Sequence, residues 1–187
     1  MAKNQQLVLE LREDPRSSSL LKAVQEDAAL GRMTPPRCIH ELALDLVTLS
    51  PRFAVEQGKK PDGSVKVRAV DDFSRSGCNA ATCATEKLST ENMDAFLASL
   101  RLTKARVNGD FEMWKSDIKS AFRLVPIKPE HRQLAWVAFV CDGEVLAAGH
   151  YAAPFGALSS VHNWDRIGDL LKAIARCVLF LEYIRLL

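Results

Sequence analysis

The stretch WKSDIKSAFRLVPI, residues 114–127, sets Asp117 between an apolar segment and a turn, with Phe122 a little further on. Taken alone, Asp117 reads as an N-cap whose carboxylate accepts from an orphan backbone N–H of the turn. Upstream, Lys59, Lys60, Lys66 and Arg68 bracket the turn Pro61-Asp62-Gly63. Such residues form a solvated hairpin face or supply positive field for a nucleic-acid backbone, and the arginine fork offers fixed donors to phosphate. In Ala153-Pro154-Phe155-Gly156 the glycine permits close backbone approach to a ligand. The five cysteines, an odd number without a paired framework, read as reduced thiols of an intracellular protein. Cys78 and Cys83, with His131 or His150, are the candidate soft-metal ligands. Neither a Cys-x-x-Cys pair nor a His pair at finger spacing is present, however, so no structural zinc site is expected.

The elements that must position these residues follow from the pattern around them. Leu20, Leu21, Val24 and Ala28 recur at helical spacing after Ser17-Ser18-Ser19, with Gly31 as a C-terminal cap. Beyond Pro35-Pro36, the segment 38–50 repeats Ile39, Leu42, Ala43, Leu46 and Val47, which predicts a second amphipathic helix. Residues 52–74 then alternate as two strands around Pro61-Asp62-Gly63. A polar loop leads to a helix carrying Met93, Phe96, Leu97 and Leu100, opened by Ser89 or Thr90 and Glu91. The run FEMWKSDI predicts a strand ending at Asp117, and a hairpin with the turn Cys141-Asp142-Gly143-Glu144 follows. Last come a helix with Val161, Trp164, Ile167 and Leu171 on one side and a strand, CVLFLEYI. This order is an α+β plan.

A chain of 187 residues suffices for one domain with a core, and its net charge of +2 argues neither for nor against nucleic acid. The start lacks the basic and apolar blocks of a signal peptide. Residues 170–187, broken by Lys172, Arg176, Glu182 and Arg185, are too charged to span a bilayer, so no membrane association is expected.

Three phrases in order carry a resemblance: Lys66-Val-Arg68-Ala-Val-Asp71-Asp72-Phe73, then Asp117-Ile-Lys-Ser-Ala121-Phe122, then Ala153-Pro-Phe-Gly156 before a helix with Trp164-Asp-Arg166. Together they resemble the fingers and palm of a reverse transcriptase, an RNA-directed DNA polymerase of the retroelement kind, over roughly residues 51–183. The resemblance implies a partial right-hand polymerase fold, fingers and incomplete palm, preceded by N-terminal helices. Residues 1–50 would be the helical segment, 51–110 fingers-like and 111–187 palm-like. It implies Asp117 as the catalytic carboxylate and a Mg2+ ligand, because two such ions need hard oxygen donors. Arg68 and Lys66 would contact the triphosphate, Phe122 would stand where a 2′-hydroxyl would go, and Phe155 and Gly156 would wall the pocket. The implied partners are an RNA or DNA template-primer and deoxynucleotides.

The chain departs from the family pattern in places. Ala157-Leu158 follows the glycine where leucine is usual, and Ser160-Val161 stands where an Ala/Ser-Pro pair is common. Where a Tyr-x-Asp-Asp hairpin is expected the chain reads Glu182-Tyr183-Ile-Arg-Leu-Leu187, without a second metal-binding carboxylate. The expectation is therefore that this chain does not itself synthesise DNA. A rival reading is a non-catalytic nucleic-acid-binding remnant that keeps the basic hairpin. A third is a viral RNA-dependent RNA polymerase fragment, which more often carries a second aspartate where Phe122 stands. The family plan further predicts residues 111–117 and 178–183 as adjacent strands. It also predicts an exposed Arg68 on the side of Asp117, with an ion pair to Asp71 or Asp72 as the competing arrangement.

Overall fold

The computed structural model describes residues 2–59, 61–88, 92–106 and 117–179. It is a mixed α+β chain with a five-stranded sheet. Two compact units divide it, one formed by Met1–Cys83 with Phe122–Val161, the other by Ala84–Ala121 with His162–Leu187.

In the first unit, α1 (Ala2–Glu10) and α2 (Ser17–Ala29) precede β1 (Arg37–Cys38), β2 (Leu49–Lys59) and β3 (Val65–Asp71). After the short α3 (Cys78–Ala81), the chain returns with β4 (Trp136–Cys141) and β5 (Glu144–Gly149), and α5 (Leu158–Leu179) begins. The sheet order is β1-β5-β4-β2-β3; β2 and β4 run parallel and every other neighbour is antiparallel.

The sequence WVAFVC of β4 is apolar throughout because the sheet is covered on both faces. Val137, Phe139 and Cys141 point to one side, where Leu20 and Val24 of α2 join Met33 and Phe73. Ala138 points to the other, where it meets Leu7 of α1 and Leu49. The two-residue turn of the β4–β5 hairpin places Asp142 and Gly143 at φ 54° and 76°, the left-handed pair that such a turn requires.

The segment between α1 and α2 ties both hairpins to the N-terminus. Asp14 turns the chain into α2 through its Oδ1, which accepts from the Arg16 N–H at 2.8 Å, while Oδ2 accepts from the N–H of Ala54 on β2 at 3.1 Å. Glu13 accepts from the N–H groups of Asp142 and Gly143, at 2.7 and 3.2 Å, which together with Ser17 hold its carboxyl below the usual carboxylate range. The cap position of α2 is accordingly Arg16 rather than one of the serines.

The helix expected over 38–50 is absent. Arg37 and Cys38 pair with Ala147 and Leu146 as an edge strand, and only Ile39–Glu41 winds, as a single 3-10 turn. Asn4 explains the rest: its Nδ2 donates to the carbonyls of Leu44 and Val47, both at 2.7 Å, and its Oδ1 accepts from the N–H of Leu49 at 3.1 Å. Ile39, Leu42, Leu44 and Val47 pack against the Leu7–Leu49 cluster, so their spacing serves a loop tucked under α1. Tertiary burial outweighs a modest helix propensity here. The helix α1 itself was not anticipated, since only Leu7 among its described side chains is buried.

In the second unit, α4 (Met93–Arg106) forms as expected, with the Asn92 Oδ1 accepting from the Ala95 N–H at 2.8 Å as its cap. Residues 89–91, offered as the cap, lie outside the described residues. Arg166 of α5 donates to Glu86 at 3.0 Å. The strand CVLFLEYI is corrected at its start, because α5 continues through Cys177 and Val178 to Leu179. No glycine or proline interrupts it after Gly168, so helix propagation outweighs the β preference of Val178. Residues 111–116 and 180–183, the remainder of the expected strand pair, lie outside the described residues. Val161 and Leu171 of the expected packing stripe are exposed, at 40% and 38%. No helix among the described residues is long and apolar enough to cross a membrane.

Asn4→Ala should cost about 1–3 kcal/mol, because it leaves two carbonyls and one N–H without their partner. Urea denaturation measures this, and an unchanged midpoint would show that the 42–48 loop holds without Asn4.

Candidate nucleotide site

Arg68, Phe122 and Phe155, far apart in sequence, meet in the first unit. The rings of Phe122 and Phe155 stand edge to face, with centroids 5.3 Å apart at 66°. The Arg68 guanidinium lies over the Phe155 ring at 5.7 Å, a cation–π distance. Arg68 is exposed on β3 and shares a face with Lys66 two residues before it. Among the described residues neither forms an ion pair, so the local pairing of Arg68 with Asp71 or Asp72 is not adopted. Lys59 is likewise exposed, and Lys60 lies outside the described residues.

Phe155 is held by its neighbour. Gly156 has φ 90°, and a Cβ there would come within 2.1 Å of the Asp71 carbonyl oxygen, so the loop lies directly on the end of β3. The close approach that glycine permits is therefore to the protein's own backbone. Asn79 fixes the same loop, donating to the Gly156 carbonyl at 2.9 Å and accepting from the Leu158 N–H at 2.9 Å where α5 starts. Phe122 belongs to a 3-10 turn, Ala121–Leu124, that follows Ser120 at φ 59°. This turn joins the loop carrying Phe155 through the N–H of Ala153, which donates to the Val125 carbonyl at 2.8 Å.

Behind the cluster runs a buried polar chain that sequence reasoning did not foresee. Arg52 and Asp71 face each other across β2 and β3, and Arg52 donates from Nε and Nη2 to the two carboxylate oxygens at 2.7 and 3.0 Å. His150 reaches Asp71 Oδ2 from Nε2 at 3.0 Å. Its Nδ1 lies 2.7 Å from Arg123 Nη1. A guanidinium can only donate, so Nδ1 accepts and Nε2 carries the proton given to Asp71. Arg123 also donates to the Ala152 carbonyl at 3.0 Å and, on the side of α2, to Asp27 at 2.8 Å.

The protonation states follow. Burial lowers the pKa of His150; Asp71 opposes this, and the Arg52 and Arg123 charges add to it, leaving a neutral imidazole. For Asp71, burial raises the pKa, but the Arg52 charge and the His150 hydrogen bond outweigh it and hold the carboxyl far below the usual range. Two cations, Arg52 and Arg123, are thus balanced by two anions, Asp71 and Asp27, around one neutral histidine. Of the residues offered as soft-metal ligands, His150 is committed to this chain and Cys78 faces the Leu134 carbonyl at 3.5 Å.

Asp117 lies in the second unit, exposed and outside any helix or strand. Among the described residues it belongs to no group of three side chains close enough together to hold a metal ion. No protein-family model and no curated protein matches the chain.

Asp71→Asn should destabilise the protein by about 3–5 kcal/mol, since it leaves Arg52 buried without a counter-charge. Gly156→Ala should cost about 3 kcal/mol or more, from backbone strain and the clash with Asp71. Because the folded-state pKa of His150 is lowered, its contribution is complete above the unfolded value near ~6.5. It is lost as the pH falls from there toward the folded value, with a slope of at most about 1.4 kcal/mol per pH unit. The depressed Asp71 adds a second loss only below about pH 4. Urea midpoints between pH 7.5 and 5 should therefore fall more steeply for the wild type than for His150→Gln; parallel profiles would remove His150 from the account.

Proposed function

We propose that the chain carries the triphosphate-binding portion of a reverse-transcriptase-like polymerase. The observation that supports this most is the meeting of Arg68, Phe122 and Phe155 in one partly exposed cluster. The same three positions are those to which the resemblance gives the triphosphate contact, the sugar gate and the pocket wall. An arginine whose guanidinium rests on an aromatic ring keeps its N–H edge for phosphate oxygens, and Lys66 on the same face adds a second cation. The paired rings present an apolar wall against which a deoxyribose packs at no cost, while an added hydroxyl there loses hydration. The resemblance gives Asp117 the role of one oxygen ligand to Mg2+, and two-metal chemistry needs a further carboxylate beside it.

A second reading is a nucleic-acid-binding remnant without catalysis, favoured by the exposed Lys59, Lys66 and Arg68 along the β2–β3 hairpin. The two part company in one experiment. Equilibrium dialysis with labelled deoxynucleoside triphosphate and Mg2+ should show binding that Arg68→Ala weakens by about 10–100-fold, the worth of one or two charge-assisted hydrogen bonds. Phe122→Ala should narrow the preference for deoxy- over ribonucleoside triphosphate. Triphosphate binding indifferent to Arg68→Ala would overturn the proposal. Magnesium-independent, steeply salt-dependent binding of single-stranded RNA or DNA, with no triphosphate binding, would establish the remnant instead.

A further inference from the structure

At the free edge of the sheet, away from the Arg68 cluster, Cys38, His40 and Glu41 bring a thiol, an imidazole and a carboxylate together, with their ligand atoms within 4.8 Å of one another. The local fold makes this possible. β1 ends at Cys38, and the 3-10 turn Ile39–Glu41 bends the following residues beside it instead of carrying them along the sheet. A fourth side chain stands next to the sulfur: Glu144 of β5, whose Oε2 is 3.4 Å from Cys38 Sγ. Cys38 pairs with Leu146, so Glu144 is its diagonal neighbour on the same face of the sheet. The nearest cation along the strand, Arg37, is turned elsewhere, over the Trp136 ring at 5.6 Å.

We propose that Cys38, His40 and Glu41 form a binding site for a Zn2+-class transition-metal ion, with Glu144 beside the sulfur and one position left for water. The mixed sulfur, nitrogen and oxygen set selects such an ion over Mg2+ or Ca2+, which take oxygen ligands alone. Around a tetrahedral ion with bonds of about 2.0–2.3 Å, ligand atoms lie roughly 3.5 Å apart. The observed spread closes to that by rotation of His40 and Glu41, both exposed side chains. In the metal-free state the Cys38 thiol donates to the Glu144 carboxylate. Binding forms the metal–sulfur bond as the thiol proton passes to solvent, with no change of oxidation state. The ion would pin the two-residue strand β1 and its turn in place, blunting an otherwise open sheet edge. None of this rests on the nucleotide reading.

Cobalt(II) is the probe, because a thiolate ligand gives it a near-ultraviolet charge-transfer band and a tetrahedral site gives it visible absorption. The full chain is titrated in a Cys78→Ser, Cys83→Ser, Cys177→Ser background, which removes the other exposed or half-buried thiols. One equivalent should bind with the thiolate band, be displaced by Zn2+, and resist excess Mg2+. Cys38→Ser should abolish the band and weaken binding at least about 100-fold, and His40→Ala, on the surface, should weaken it at least about 10-fold. Unchanged far-ultraviolet circular dichroism keeps either variant interpretable. Absence of the thiolate band, or a band that survives Cys38→Ser, overturns the proposal.

Discussion

A single buried carboxylate, Asp71, holds together the parts of the first unit that matter for its chemistry. It ends β3, takes both donors of Arg52 across the hairpin, and receives the imidazole N–H of His150 from the end of β5. His150 passes the connection to Arg123, and Arg123 to Asp27 on α2. The same residue's backbone carbonyl is the surface on which Gly156 lies. Each candidate residue is therefore close in sequence to a member of this chain. Arg68 shares β3 with Asp71, Phe122 directly precedes Arg123, and Phe155 directly precedes the glycine seated on Asp71.

Such a chain is a poor source of net stability, since desolvating two ion pairs consumes most of what their attraction returns. What it does supply is position. An apolar core tolerates small sliding of one strand past another, whereas a bidentate arginine–carboxylate pair extended through an oriented imidazole has one geometry in which every donor finds its acceptor. The neutral histidine suits this role because it accepts at one nitrogen and donates at the other, linking a cation to an anion without adding charge. The partly exposed cluster of Arg68, Phe122 and Phe155 is thus backed by side chains fixed in one arrangement.

Much of the fold could be read from local signals. The β2–β3 and β4–β5 turns carry proline, aspartate and glycine where positive φ or a tight reversal is needed, and α2, α4 and α5 show apolar spacing. Two of the differences have a shared cause. Residues 38–48 have helical spacing, but their partners are Asn4 and Leu7, whose nearness no local pattern conveys. For the same reason Arg52, Arg123 and His150 looked like scattered polar residues: the bonds joining them to Asp71 and to one another span 19 to 79 positions. The candidate nucleotide residues were legible only as phrases resembling a family, and their meeting needed the fold. By contrast, Cys38-x-His40-Glu41 is contiguous in sequence but matches no paired finger spacing.

The bond from Glu13 to the turn at Asp142 links positions 129 residues apart, and it sets a timetable for the newborn chain. On the ribosome α1 and α2 emerge before the rest of their unit, and the central strand they cover, β4, is made more than a hundred residues later. Until then Leu7, Leu20 and Val24 can pack only against β2, β3 and their flanking loops, with the central strand of the sheet still missing. High contact order of this kind makes folding slow and leaves apolar surface uncovered meanwhile. Production of the protein in a cell should accordingly depend on chaperone supply more than its size alone would indicate.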